Sequence, residues 1–161
     1  MLISMNWIND FVDLSGLDLE KLIHQFTLST AEVEDIYYMG RDIKDVVVAR
    51  IVFIENHPDS KKLHLLKVDA GDKVYDCVCD APNVREGMLV AFAREGGSVS
   101  GMEITCAKIA GYESHGMCCS EKELGISADH SGLWEITDDL PLGTQITDAY
   151  GVKDVVFEVD N

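Results

Sequence analysis

Two periodicities divide the chain. Up to about Phe26 the apolar residues recur at helical spacing: Trp7, Ile8, Phe11 and Val12 fall on one side of a short helix that Ser4 can cap. Leu19, Leu22, Ile23 and Phe26 follow at i, i+3, i+4 and i+7 behind a second cap, Asp18. "DLSG", Asp13 to Gly16, is the turn between them. After "LST" the pattern changes, and Val33, Ile36 and Tyr38 suit an extended strand. Residues 1–39 thus read as a small helix-helix-strand module, too short to bury enough surface alone.

From Val46 the texture is all-β. "VVVARIVFI", "LHLLKVDAG", "VYDCVC", "MLVAFA" and "EITCAKIAG" are β-branched or alternating runs broken by His-Pro-Asp, Gly-Asp, Pro-Asn and Gly-Gly turns. Five such strands predict a small closed barrel of OB type, with a sandwich as the alternative. "CSEKELGI" reads as one helical turn, and "GLWEI" and "TQI" as short late strands. In "DVVFEVDN", Val155, Phe157 and Val159 alternate with Val156, Glu158 and Asp160, and the pattern ends without cap or turn. A cut piece of a longer protein is the expectation.

Composition adds bounds. The chain has 161 residues, 47% of them hydrophobic, enough for one medium domain or two small ones. No apolar run approaches the roughly 18–20 residues of a membrane helix, and the Met1 end has no basic-then-apolar leader. Five cysteines, an odd number, suit thiols in a reducing cytoplasm. The net charge of −16 argues against a polyanionic partner, but nine of the thirteen cations fall between residues 44 and 108.

Metal and catalytic motifs are weak. Cys77 and Cys79 form C-x-C, Cys118 and Cys119 are adjacent, and no histidine stands at the spacing that completes a zinc site with them; buried thiols are the expectation. His115 beside Cys118 and Cys119 lacks an orienting partner, and there is no phosphate loop and no nucleophile elbow. The reading is no catalytic residue and no metal. Binding remains: "HPDSKKLHLLKVDAG" places Lys61 and Lys62 in a turn, His64 and Lys67 beyond it, and Arg85, Arg94 and Lys108 on turns or strands that a barrel can bring to one side. The aromatic residues available for stacking are Phe53, Tyr75 and Phe92.

Residues 44–126 resemble the tRNA-binding OB domain of several synthetases and free-standing tRNA-binding proteins. The marks are His57-Pro58, Lys62-Leu63, Val68-Asp69, Gly71, Ala81-Pro82-Asn83-Val84, Gly87, Gly101, Ser114-x-Gly116-Met117-x-Cys119-Ser120 and Glu123-Leu124-Gly125. Residues 1–36 resemble the amino-terminal module of the bacterial phenylalanine-tRNA ligase β subunit, and "DHSGLWEI" with "LPLGTQI" resembles the stretch closing its inserted tRNA-binding domain. The resemblance implies an α+β architecture, with an OB-type barrel (residues 40–151) inserted into the small module (residues 1–39, completed by 152–161 and by residues further on). It implies a role in contacting tRNA through Lys61, Lys62, His64, Lys67, Arg85, Arg94, Lys108 and Ser114. It also implies a catalytic α subunit using ATP and Mg²⁺ in an assembly of two α and two β chains, with no cofactor in this portion. Gly116 would allow close backbone approach and Cys119 would fill space. The turn Asp59-Ser60-Lys61-Lys62-Leu63 departs from the family's small-residue-Asp-Lys-Leu, and Asp80 stands where glycine often precedes Ala-Pro-Asn. Two other readings stay open: a free-standing tRNA-binding protein or chaperone, usually a dimer, and a protein-interaction module without RNA binding.

Overall fold

The computed structural model describes residues 1–160. In chain order the elements are β1 (Leu2–Ser4), α1 (Met5–Asn9), α2 (Leu19–Ser29), β2 (Val33–Met39), β3 (Lys44–Asn56), β4 (His64–Asp69), β5 (Val74–Cys79), β6 (Leu89–Val99), β7 (Met102–Glu103), β8 (Ala107–Ile109), β9 (Tyr112–Ser114), β10 (Gly116–Cys118), β11 (Glu135–Ile136), α3 (Ile146–Ala149) and β12 (Asp154–Val159). They fall into two compact units, Met1–Arg41 with the chain from Gly151 onward, and Asp42–Tyr150.

The first unit is an antiparallel sheet in the order β1-β12-β2, carrying the two larger helices. Phe157 lies opposite both Ile3 and Ile36, and it and Val159 are buried, so the alternation of the last strand decides which residues face inward. The caps form as the side chains dictate. Ser4 Oγ accepts from Trp7 N at 3.1 Å and its hydroxyl donates to the Asp154 carboxylate; Asp18 accepts from Glu20 N and Lys21 N. Leu19, Leu22, Ile23 and Phe26 are the half-buried face of α2. α1 ends at Asn9, short of Phe11, and Trp7 and Phe11 pack edge to face at 5.7 Å on the exposed surface.

The second unit is built on a sheet ordered β10-β6-β3-β4-β5, with β7 and β11 added along β6 and β8–β9 as a separate hairpin. Val46, Val47, Val48 and Ala49 are fully buried at its centre, and of these Val47 and Ala49 join Val68, Val90 and Phe92 in the main core. The ladder does not run round into a closed five-stranded barrel: β5 and β10 are its two ends. They nevertheless lie side by side, because His115 N donates to Asp76 O at 2.8 Å and Val78 N to Ser114 Oγ at 3.1 Å.

Two register shifts interrupt β3, one between Lys44 and Val46 and one between Ile51 and Phe53. The second leaves Val52 as the extra residue of a bulge. Strict alternation would point Phe53 inward with Ile51; the bulge turns it outward, 45% exposed and opposite Lys67. Elsewhere the expected late elements change form. "EITCAKIAG" splits into β7 and β8, because Ile104 turns aside to exchange hydrogen bonds with Gly96 and Gly97 at 2.8 Å each. "TQI" makes a single bridge, Val47 with Gln145, before α3 begins. "CSEKELGI" is a run of turns rather than a helix.

Candidate nucleic-acid interface

The loop between β3 and β4 is shaped by His57. This side chain is buried, and its Nδ1 accepts from Asp59 N at 3.0 Å, so Nε2 carries the proton and donates to Ala110 O at 2.8 Å. The ring also packs edge to face on Tyr112 at 5.1 Å. Ser60 Oγ accepts from Lys62 N and Leu63 N, and His57 N donates to Leu63 O. The loop is thereby held against the tip of the β8–β9 hairpin, and Lys61 and Lys62 project from it, exposed and outside ion-pair range of any carboxylate among the described residues.

Beside this loop, the outer face of β3, β4 and β5 and the hairpin tip enclose an open cleft of about 360 Å³. Phe53, Lys67 and Asp76 form one row across the three strands. Tyr112 and Glu113 form the hairpin wall, and both Phe53 and Tyr112 are exposed aromatic rings. Lys67 donates to Asp76 at 2.8 Å; both partners are more than half exposed, so the pair is worth little and a phosphate can compete for the ammonium. Lys108 is exposed on β8 without an ionic partner, and His64 begins β4 with its Nδ1 3.2 Å from Asn56 Oδ1. Of these cations Lys67 lines the cleft; Lys61 and Lys62 stand on the loop that leans on the hairpin tip, Lys108 lies on the hairpin, and His64 falls on the opposite face of β4 from Lys67.

Three of the expected contacts are not available there. Ser114 is 4% exposed; its hydroxyl donates to Gly116 O at 3.0 Å and accepts from Val78 N, so it serves the interior. Arg85 forms a two-pronged pair with Glu135. Arg94 is held by Asp45 and lies 3.6 Å from Asp72, at the β4–β5 turn. That turn is the far end of β4 from Lys62, roughly 17 Å along the strand. Tyr75 and Phe92 are core residues rather than stacking platforms. Tyr112 was the ring missed from sequence; its place opposite Ile109 in a two-residue hairpin around Ala110-Gly111 is the signal that could have found it.

The four thiols of the C-x-C and Cys-Cys pairs are all buried. Burial pushes Cys79 up to about 12 and raises Cys119 as well, so both stay protonated.

The Arg94 network carries a pH signature. Hydrogen bonding from Arg94 holds the Asp45 carboxyl below the usual range, assisted by the Gln145 amide. A depressed folded pKa means stabilisation that is complete above the unfolded value of about 3.9 and lost as pH falls through the lower folded value. Arg94→Met should lower stability at pH 7 by about 1–2 kcal/mol. Urea melts of wild type and variant should converge as pH falls from 4 toward 2; a gap that stays constant would refute the pairing.

Residues 46–145 match the family of putative tRNA-binding domains. The chain belongs to this family of tRNA-binding domains. Over 160 residues it is 40% identical to the phenylalanine–tRNA ligase beta subunit of Aromatoleum aromaticum, and over 162 residues 41% identical to that of Geobacter sulfurreducens. Each comparison takes in 99% of this chain and 20% of the relative, so the chain spans about one fifth of the length of the curated relatives it matches. The crystal structure of a MetRS related protein from Pyrococcus horikoshii is similar at 20% identity and a TM-score of 0.49, covering 65% of this chain and 89% of that one. No helix among the described residues is long and apolar enough to cross a membrane.

Proposed function

We propose that this chain is a tRNA-contacting portion of the beta subunit of a phenylalanine–tRNA ligase. The sheet order supports an OB-type barrel, with β3, β4, β5, β10 and β6 as successive staves and the β5–β10 neighbours closing the ring. In such barrels the face of the second and third strands and the loops beside it hold oligonucleotides. Here that face is the outer surface of β4 and β5, flanked by the loop at residues 57–63 and the β8–β9 hairpin. Unstacked bases lie on Phe53 and Tyr112, while phosphates meet Lys61, Lys62 and Lys108, with Lys67 released from Asp76. The observation that carries this reading is a cleft with two exposed rings, Phe53 and Tyr112, beside the loop that carries the unpaired Lys61 and Lys62, in a domain of the tRNA-binding family.

Glu55, Asp76 and Glu113 line the same cleft, so affinity is modest and depends steeply on salt. In the complete enzyme, cytoplasmic and built from two α and two β chains, the α subunit activates phenylalanine with ATP and Mg²⁺. This chain positions tRNA and contributes no catalytic group.

Fluorescence anisotropy with unfractionated tRNA, at low and at physiological salt, tests the assignment. Lys61→Glu/Lys62→Glu should weaken binding by about tenfold or more and flatten the salt dependence by about 0.7–0.9 of a log unit per lysine. Failure of the wild type to bind even at low salt would overturn autonomous RNA binding. A partner protein bound equally by both forms would favour the interaction-module reading, to which the net charge of −16 lends support.

A further inference from the structure

Cys106 differs from the other four cysteines in being exposed. It lies one residue before β8, and the β8–β9 register pairs Ala107 with Ser114 and Lys108 with Glu113. One step further along that register sets Cys106 opposite His115. Alternation along the strand then puts Glu113 on the same face as His115. The side chains realise this arrangement: Cys106 Sγ, a Glu113 carboxylate oxygen and a His115 ring nitrogen all lie within 4.8 Å of one another. On the other side, β6 pairs with β10 so that Arg94 faces Gly116, and the next position brings Glu95 to His115. Nε2 of His115 lies 3.4 Å from Glu113, and Nδ1 lies 3.3 Å from Glu95.

We propose that Cys106, Glu113 and His115 bind one divalent transition-metal ion, Zn²⁺ being the best match, and that Glu95 is the outer carboxylate that orients the imidazole. The donor set decides the ion. A thiolate with an imidazole suits a borderline or soft metal, whereas Ca²⁺ and Mg²⁺ take oxygen donors. Tetrahedral bonds of about 2.0–2.3 Å put donor atoms about 3.3–3.8 Å apart, so the observed cluster closes on the ion by side-chain rotation of about 1 Å. The fourth position is open to water. A carboxylate on the second ring nitrogen fixes the tautomer that leaves Nε2 free to ligate. Lys108 stands opposite Glu113 but makes no ion pair with it, which leaves that carboxylate available. Binding releases the thiol proton to solvent. The ion would staple the two strands of the β8–β9 hairpin together at their open end, and only the His115–Glu95 contact would pass that constraint on to β6.

Titration of the chain with Co²⁺ under a non-thiol reductant tests the site by a signature that only a thiolate ligand produces. The expected result is one equivalent bound, with a thiolate-to-cobalt charge-transfer band, strong four-coordinate visible absorption and displacement by Zn²⁺ but not by millimolar Mg²⁺. Cys106→Ser should abolish the charge-transfer band, and Glu95→Gln should weaken affinity by about tenfold without changing stoichiometry. Far-UV circular dichroism of each variant establishes that it is folded. No charge-transfer band in the wild type, or an undiminished band in Cys106→Ser, would overturn the site; unchanged affinity in Glu95→Gln would remove Glu95 from it.

Discussion

Phe92→Ala should lower the unfolding free energy of the Asp42–Tyr150 unit by about 3–5 kcal/mol. Phe92 is the largest side chain with no exposed surface. It lies on β6, the strand that pairs with both β3 and β10, opposite Val47 on one side and Cys118 on the other. Its ring packs against Tyr75 with centroids 5.3 Å apart, which ties β5 to the same centre. Truncation therefore loses the transfer energy of the ring and leaves a cavity walled by three strands. The hydrogen-bonded ladders around them resist collapse, which places the cost high in the usual range. Urea melts should show the midpoint falling with little change in slope, since the surface exposed on unfolding is nearly the same. In a thermal melt the shift is on the order of 15 °C for a unit of this size. A loss below about 1.5 kcal/mol would mean that the core closes over the gap, and that this aromatic pair does not hold β5 to β6.

Much of the first unit was legible because its signals are local. The cap residues Ser4 and Asp18 and the apolar stripe of α2 lie within one or two turns of the groups they serve. The alternation of the last strand likewise foretold which of its residues face inward. The binding face was harder to read, for two physical reasons. A single extra residue, Val52, inverts the alternation of β3, so Phe53 leaves the core and becomes available to a ligand. Local composition does not announce such a bulge. The other reason is pairing across long sequence separations. Arg85 and Arg94 look like free cations along the chain, but their carboxylate partners lie 50 and 49 residues away, so they contribute to structure rather than to a groove. Lys61 and Lys62 remain unpaired because they sit in a turn, where no neighbouring strand brings a carboxylate to them. The cysteines show the same effect in reverse. The conspicuous pairs are core filler, while an unremarkable one meets a histidine and two glutamates only through strand register.

Gly116→Ala should cost about 3 kcal/mol, the upper end of the range for overpacking. The cause is space rather than backbone freedom. Gly116 opens β10 in an extended conformation, and a methyl group there would run into the Phe92 ring and stand 2.7 Å from the Ala93 carbonyl oxygen. One of those obstacles is a side chain and the other is backbone, so a second substitution can relieve only part of the strain. Phe92→Leu removes the ring atoms that the new methyl would meet. On its own it should cost about 1–1.5 kcal/mol. In combination the two losses should fall short of additivity by at least 1 kcal/mol, the coupling expected of residues that share one contact. Strict additivity in that cycle would show that the ring is not what excludes a side chain from position 116. The consequence reaches the proposed RNA face. β10 follows directly on His115, whose backbone N–H bonds to Asp76 on β5, so a shift of β10 away from β6 loosens the link that sets the hairpin wall beside the β4–β5 face. tRNA affinity in Gly116→Ala should accordingly fall together with stability, and recover in part when Phe92→Leu is added.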